Sequence, residues 1–432
     1  MSASFDETIA WAWDGPPPGT EAARRARLLL LDSLGCMAAG LRHARVRALA
    51  ASLAAWMPGE VRLAGVGLAP AGAAAVLAAA MCWDEANEGL ARAHGRPGLA
   101  VAPLCVARPA ATLGDTLAAL AVGYEVAGRA GELWRIRPGM HVDGSWHALG
   151  AAAAAVRLAT EGDRAAAARA VRLAACQVPF ALYAPIAAGM DGRNSYPAHA
   201  ALLGALAGGA ALAGLDAPAE GFAEARRIAL GLDTPGACAP PGEWLIAEAY
   251  LKPFAGVRHA HYAAAAALAL RPRVVDRLDR IAAIELATYA EALRYAGNRA
   301  PGAAITAQFS LSWAVAAALA QGDLGPEAYT EAALHDPRLR RLEALVTLRE
   351  DPARGERRGA TLSLTVDGEA MAETADSVPG DPARPMQATE VLAKLRRYAG
   401  EAVAAQGAAL LGAAAETPGT VLRAFLADAT TP

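Results

Sequence analysis

From Glu21 to Gly40 apolar residues recur at helical spacing, with Arg24, Arg25 and Arg27 on the wet side and Gly35 and Gly40 near the end, which predicts an amphipathic helix. Comparable Ala/Leu-rich stretches lie at about 70–83, 113–130, 146–160, 163–176, 198–214 and 219–230, separated by breaks such as Arg96-Pro97-Gly98. The pattern changes at Ile281–Tyr289, where β-formers concentrate, and again where Ala360–Val366 and Ala370–Ala375 flank Asp367-Gly368. Asp-Gly between two such runs is a strong hairpin signal. After the turn-rich Pro379-Gly380-Asp381-Pro382 a helical pattern returns from about Thr389. The expected fold is therefore mainly α: a large all-helical domain formed by N- and C-terminal segments (1–251 and 388–432), with an inserted smaller α/β domain (252–387).

Length and composition narrow the function. At 432 residues the chain is too long for one simple core. Forty Lys+Arg against 43 Asp+Glu leave a net charge of −3, so no global basic field exists to hold a phosphate backbone, and nucleic acid is excluded as an expected partner. Five scattered cysteines without CxxC spacing fit a reducing compartment, and the acidic N-terminus lacks the basic and apolar regions of a signal peptide. A cytoplasmic protein is expected. Runs such as Ala198–Leu215 approach membrane-span length, but they are mostly Ala and Gly and carry His199, so they read as buried helices and no membrane partner is expected. Lysine occurs only at Lys252 and Lys394; the other basic residues are all arginine.

Six of the eight histidines fall between residues 94 and 261, in four polar clusters. The first, Trp83 to Glu88, closes an apolar helix and is followed by His94. Asp84 and Glu88, four apart, would share a helix face, where mutual repulsion raises one pKa and suits proton transfer, with His94 against them; a solvated helix end is the plainer reading. The second, Pro138 to His147, is a glycine-containing loop running into a helix, an anion site beside His141 or His147, or simply a helix capped by Asp143 or Ser145. The third, Asp191 to His199, offers Arg193 as a planar clamp for a carboxylate, unless it is an ordinary surface loop. The fourth packs Lys252, Arg258, His259 and His261 into ten residues. His-x-His is a possible metal half-site, but no acid or further histidine has standard ligand spacing, so no metal is expected. With no phosphate loop, GxGxxG or GxSxG either, the inventory of cations, imidazoles and a carboxylate suits a small polycarboxylate and proton transfer.

In order along the whole chain, LLLDSLGCMAAG (Leu29–Gly40), the acidic helix end with its His-x-Arg-Pro-Gly loop, GYEVAGR (Gly123–Arg129), MHVDGSWHALGAAAAA, KPFAGVRHAH, AQFSLSWAVAAAL (Ala307–Leu319) and PGDPARPM resemble the MmgE/PrpD family of 2-methylcitrate dehydratases and cis-aconitate decarboxylases. The resemblance implies a homodimer with a cofactor-free site between a helical body and an α/β lid. It also implies a lyase acting on a di- or tricarboxylate by proton transfer next to a carboxylate, or an epimerase of a related dicarboxylate; a non-catalytic ligand-binding relative is the third reading. Residue by residue, the family's aspartate falls on Asp84 and its histidine ten residues later on His94, with Asp84 orienting or tuning it. The loop histidine matches His141, and the cationic loop residue, lysine in the decarboxylases, falls on Arg193. The histidine of the lid-entry motif matches His261, with Lys252, Arg258 and His259 around it. His94 and His261 are then the proton-transfer candidates, and His141, Arg193, Lys252, Arg258 and His259 bind substrate. Three departures stand out: Glu88 where decarboxylases have threonine, Arg193 for lysine, and Trp313, on the substrate wall, for tyrosine. Glu88 adds a carboxylate and so a second candidate acid to the catalytic set.

Overall fold

The computed structural model describes residues 5–234 and 236–428. Helix Glu21–Gly40 starts where the Thr20 side chain accepts from the Ala23 amide, and it is buried almost all round, Leu28 to Leu31, Leu34 and Met37 included. Its neighbours come unusually close. A Cβ on Gly40 would lie 2.0 Å from the Ala80 carbonyl oxygen of helix Pro70–Trp83, and one on Gly150 would lie 2.3 Å from the Gly123 carbonyl, where His147–Ala159 crosses Leu113–Leu133. Helix Tyr196–Leu212 meets the same bundle with Gly204 against Ala151. The alanine bias thus has a packing reason: each side chain buries little apolar area, but backbones can touch, and any larger residue at these crossings would overpack them.

The C-terminal segment returns to this core. Helix Ala388–Ala399 packs on Glu21–Gly40, Leu395 filling the space over Gly35. Beside it the buried Lys394 Nζ lies 2.6 Å from Asp32 Oδ1 and donates to the Ala86 carbonyl, also at 2.6 Å, so one ammonium ties three distant segments.

The chain is mainly α, as expected, but the N-terminal region is not all-helical. Pro58–Leu63 and Val66–Leu68 form a small hairpin, and Met140–His141 pairs with Ala181–Leu182. Both are too short for periodicity to reveal. The larger sheet holds four strands in the order Val346–Glu350, Ile281–Thr288, Ala360–Val366, Glu369–Ala375; the first pair is parallel and the other two antiparallel. Asp367 and Gly368 take φ of +54° and +81°, the left-handed pair that a two-residue hairpin requires. Ala360, Leu362, Leu364 and Val366 alternate inward beneath helix Arg258–Leu270, so the sheet fixes the helix whose first turn carries Arg258, His259 and His261.

Candidate active site

Helix Pro70–Trp83 is apolar on every face and ends where the polar run begins, so Asp84 to Glu88 lie beyond it. Asp84 and Glu88 therefore do not share a helix face, which corrects the expectation drawn from their spacing. Asp84 turns away from His94: its Oδ1 lies 2.9 Å from Nε2 of His43, whose ring stacks on Trp83. Glu85 takes a left-handed φ of +52°, a conformation that costs a non-glycine residue of order 1–3 kcal/mol and persists only where contacts hold it.

Those contacts are three cations. Glu85 accepts from Arg193, from Arg96 Nη1 at 3.1 Å and from Lys252 Nζ at 2.8 Å, and Lys252 also donates to its carbonyl at 2.7 Å. Arg96 in addition pairs with Asp143 and donates to Asn87 Oδ1 at 2.7 Å, and Arg193 donates to Cys82 Sγ at 2.6 Å. All these residues are buried. Burial alone would raise the Glu85 carboxyl, but Arg193, Arg96 and Lys252 outweigh it and hold it well below the usual range; Asp143 is lowered in the same way. Burial brings Lys252 down to about 8 despite Glu85. The donor atoms of Cys82, Glu85 and Asp143 lie within 4.8 Å of one another, a spacing that could suit a metal, but guanidinium and ammonium groups already occupy them.

This cluster forms the inner wall of a cavity of about 290 Å³. Arg96, Arg135, Lys252, Arg258 and Arg358 line it against Glu85, Asp143 and Glu291, with His94, His141 and His259 and the tyrosines Tyr183, Tyr250 and Tyr295. His94 sits at the tip of a tight turn with φ +49°, closed by the Leu90 to Gly95 hydrogen bond of 2.9 Å; its Nδ1 lies 3.9 Å from Glu291, not beside Asp84. Its pKa is lowered, by burial and then by Arg135. Burial brings His141 to about 4 with Arg193 and Arg96 adding to it, and its Nδ1 accepts from the Asp143 amide at 3.1 Å, which leaves Nε2 as the protonated nitrogen. His259 is lowered to about 3, chiefly by burial, and its Nδ1 lies 2.5 Å from the Tyr289 hydroxyl. Arg258 pairs with Asp381 and stacks 4.8 Å over Tyr250.

Of the residues singled out in the sequence, His94, His141, Lys252, Arg258 and His259 meet at this cavity, and five others lie off it. Asp84 lines a separate hollow with His43. Glu88 is enclosed, its Oε1 accepting from the Gly98 amide at 3.0 Å and its Oε2 from the Tyr124 hydroxyl at 3.4 Å. Arg193 is completely buried behind Glu85, over the Phe309 ring at 5.2 Å, because two acids and a thiol draw it inward. His261 points to the Gly256 carbonyl and Arg258, each at 3.2 Å, and packs against Phe254. Trp313 is not on the substrate wall: it is buried, donates to the Ala328 carbonyl at 2.9 Å and lies under Arg340. Sequence reasoning gave no role to Glu85, Glu291, Arg135, Tyr250 or Arg358. The Glu85 signal was present one residue along from Asp84, and the helix end decides between them.

Residues 12–232 match the model of the MmgE/PrpD N-terminal domain, and 254–415 match that of the MmgE/PrpD C-terminal domain. The chain belongs to the MmgE/PrpD family. No curated protein matches it. MmgE/PrpD proteins are generally enzymes, dehydratases and other lyases among them. In this MmgE/PrpD chain the cavity draws on both matched regions, with Glu85, His94, Arg96, His141 and Asp143 from the first, Arg258, His259, Glu291 and Arg358 from the second, and Lys252 in the interval between them. Among the described residues no helix is long and apolar enough to cross a membrane.

Proposed function

We propose that the protein is a cofactor-free lyase that acts on a small di- or tricarboxylate. One observation carries the reading: His94, an imidazole lining the cavity with no hydrogen bond to its ring among the described residues, shares that space with five basic side chains against three carboxylates. Substrate carboxylates are held by Lys252, Arg258 and the Nε2–H of His141, whose positive field also offsets the charge that builds when the neighbouring carbon loses its proton. His94, neutral because its pKa is depressed, takes that proton, and Glu291 orients the ring in the role expected of Asp84. Lys252, at about 8, is mostly charged at neutral pH yet close enough to its midpoint to return a proton to the departing group. Arg193 and His261 act as positioning residues, the first through Glu85 and the second through Arg258.

The same reading treats 252–387 as a unit that closes the cavity over a body made from 1–251 and 388–432, in a cytoplasmic homodimer. Exposed apolar residues such as Leu206 and Leu212 on helix Tyr196–Leu212 supply surface for a second copy.

The test is incubation with a panel of di- and tricarboxylates in deuterated water, read by mass spectrometry. Loss of water or carbon dioxide supports a lyase, with solvent deuterium in the recovered substrate where a dehydration removes its proton reversibly and in the product where carbon dioxide is replaced by a proton. Exchange with inversion and no loss of mass would make it an isomerase, and neither exchange nor loss of mass with any acid would leave a binding protein.

A further inference from the structure

Of the five basic side chains lining the cavity, four already have partners. Arg96 is held by Glu85 and Asp143, Lys252 by Glu85, and Arg258 by Asp381, while Arg135 donates to the carbonyls of Gly131 and Arg92 at 2.7 and 3.2 Å. Arg358 differs. Among the described residues it makes no hydrogen bond and no ion pair, although it is only partly exposed. Its field is shared with Tyr250, Tyr262, Tyr289 and Glu291, and it acts in turn on His94 and His259. The tyrosines are neutral at physiological pH, and Glu291 already faces His94.

Its backbone is firmly placed. The next residue, Gly359, accepts from the Thr288 hydroxyl at 2.7 Å, and Ala360 pairs with Thr288 in the sheet. A guanidinium fixed in an aromatic, partly dehydrated wall, within the field of Glu291 but with no hydrogen bond or ion pair of its own, has its donors open to a ligand carboxylate. The cavity as a whole carries five cations against three carboxylates, a surplus of two charges.

We propose that Arg358 grips the distal carboxylate of the substrate, and that this cavity takes dicarboxylates rather than tricarboxylates. The proposal rests on the acid-binding function inferred above and narrows it. A planar, two-point contact between guanidinium and carboxylate fixes the far end of the ligand while Lys252 and Arg258 hold the near end. Two ligand charges cancel the surplus; a third carboxylate would enter without a partner.

The test uses the purified full chain with succinate, its monoacid counterpart butyrate, and the tricarboxylate tricarballylate. Affinity is read by calorimetry and by the ligand-induced rise in melting temperature. The wild type is expected to bind succinate and to bind the other two at least ~10-fold more weakly. In Arg358→Met succinate affinity should fall about 10–100-fold, the range for a lost charge-assisted bond. The ligand-free melting temperature should change little, since the change breaks no hydrogen bond or ion pair; Arg358→Lys should recover part of the affinity. A residue with a merely structural role would lower the ligand-free melting temperature instead. Wild-type succinate affinity in Arg358→Met would overturn the role given to Arg358, and tight tricarballylate binding would overturn the dicarboxylate class. If no acid binds the wild type, the function proposed for the cavity fails and this inference falls with it.

Discussion

Glu88 offers a prediction in which stability, not rate, reports the structure. Its carboxyl is fully buried between the Gly98 amide and the Tyr124 hydroxyl, and burial, outweighing Arg96 and both hydrogen bonds, pushes its pKa from 4.5 up to about 8. The folded state therefore holds this proton across a range in which the unfolded chain has released it. Stability from the protonated group is complete below about pH 4.5 and is lost as pH rises through about 8. A shift of that size corresponds to roughly 5 kcal/mol between the two limits. Glu88→Gln copies the protonated acid in shape and cannot ionise. Urea unfolding of both proteins at pH 5, 7 and 9 should give close midpoints at pH 5, a large advantage for the glutamine form already at pH 7, and only a small further gain by pH 9, because the loss is complete once the folded group has also ionised near 8. Taking the difference between the two proteins removes the contribution of every shared titrating group. Equal differences at all three pH values would refute the buried, proton-bearing Glu88. Because Glu88 does not line the cavity, kcat/KM of the variant should stay within a few-fold of wild type at pH 7.

Further outcomes follow from the same contacts. Glu85→Gln leaves Arg96, Arg193 and Lys252 short of a counter-charge and should cost about 3–5 kcal/mol in urea unfolding, whereas Asp84→Asn, which alters only the pairing with His43, should change kcat/KM little. The pH profile of kcat/KM should be bell-shaped, its acid limb below 6.5 from His94 and its alkaline limb near 8 from Lys252; a profile flat from pH 5 to 10 would contradict both roles. Limited proteolysis should begin in the exposed turns of 351–357 or 381–384, and first cuts inside helix Tyr196–Leu212 would contradict its packing. Activity should survive dialysis against a chelator, and zinc-dependent recovery would return Cys82, Glu85 and Asp143 to the role of ligands.

How far the sequence could be read depended on what each signal measures. Apolar periodicity reports burial, so the long helices and the Asp367-Gly368 hairpin are legible at nearly their observed bounds. The scarcity of lysine drew attention to Lys252 and Lys394, and both are buried in ion pairs. What stayed hidden depends on where side chains turn. A single residue of helix length decides that Glu85, not Asp84, enters the ionic cluster, and spacing alone could not place that boundary. Arg193 reads as a surface clamp until the acids beneath it are known. Arg358 lies in a stretch that looks like an exposed turn, and only the register of strand Ala360–Val366 brings it to the cavity.

The central claim, a neutral His94 removing a proton next to a bound carboxylate, is tested most directly by solvent exchange at that carbon. Asparagine tolerates the left-handed backbone that His94 adopts, so His94→Asn is the variant of choice. Proton NMR in deuterated water should show the wild type washing deuterium into its best dicarboxylate substrate, and the variant, with melting temperature and ligand affinity retained, slowed about 10²-fold or more. Exchange at the wild-type rate in His94→Asn would contradict the account.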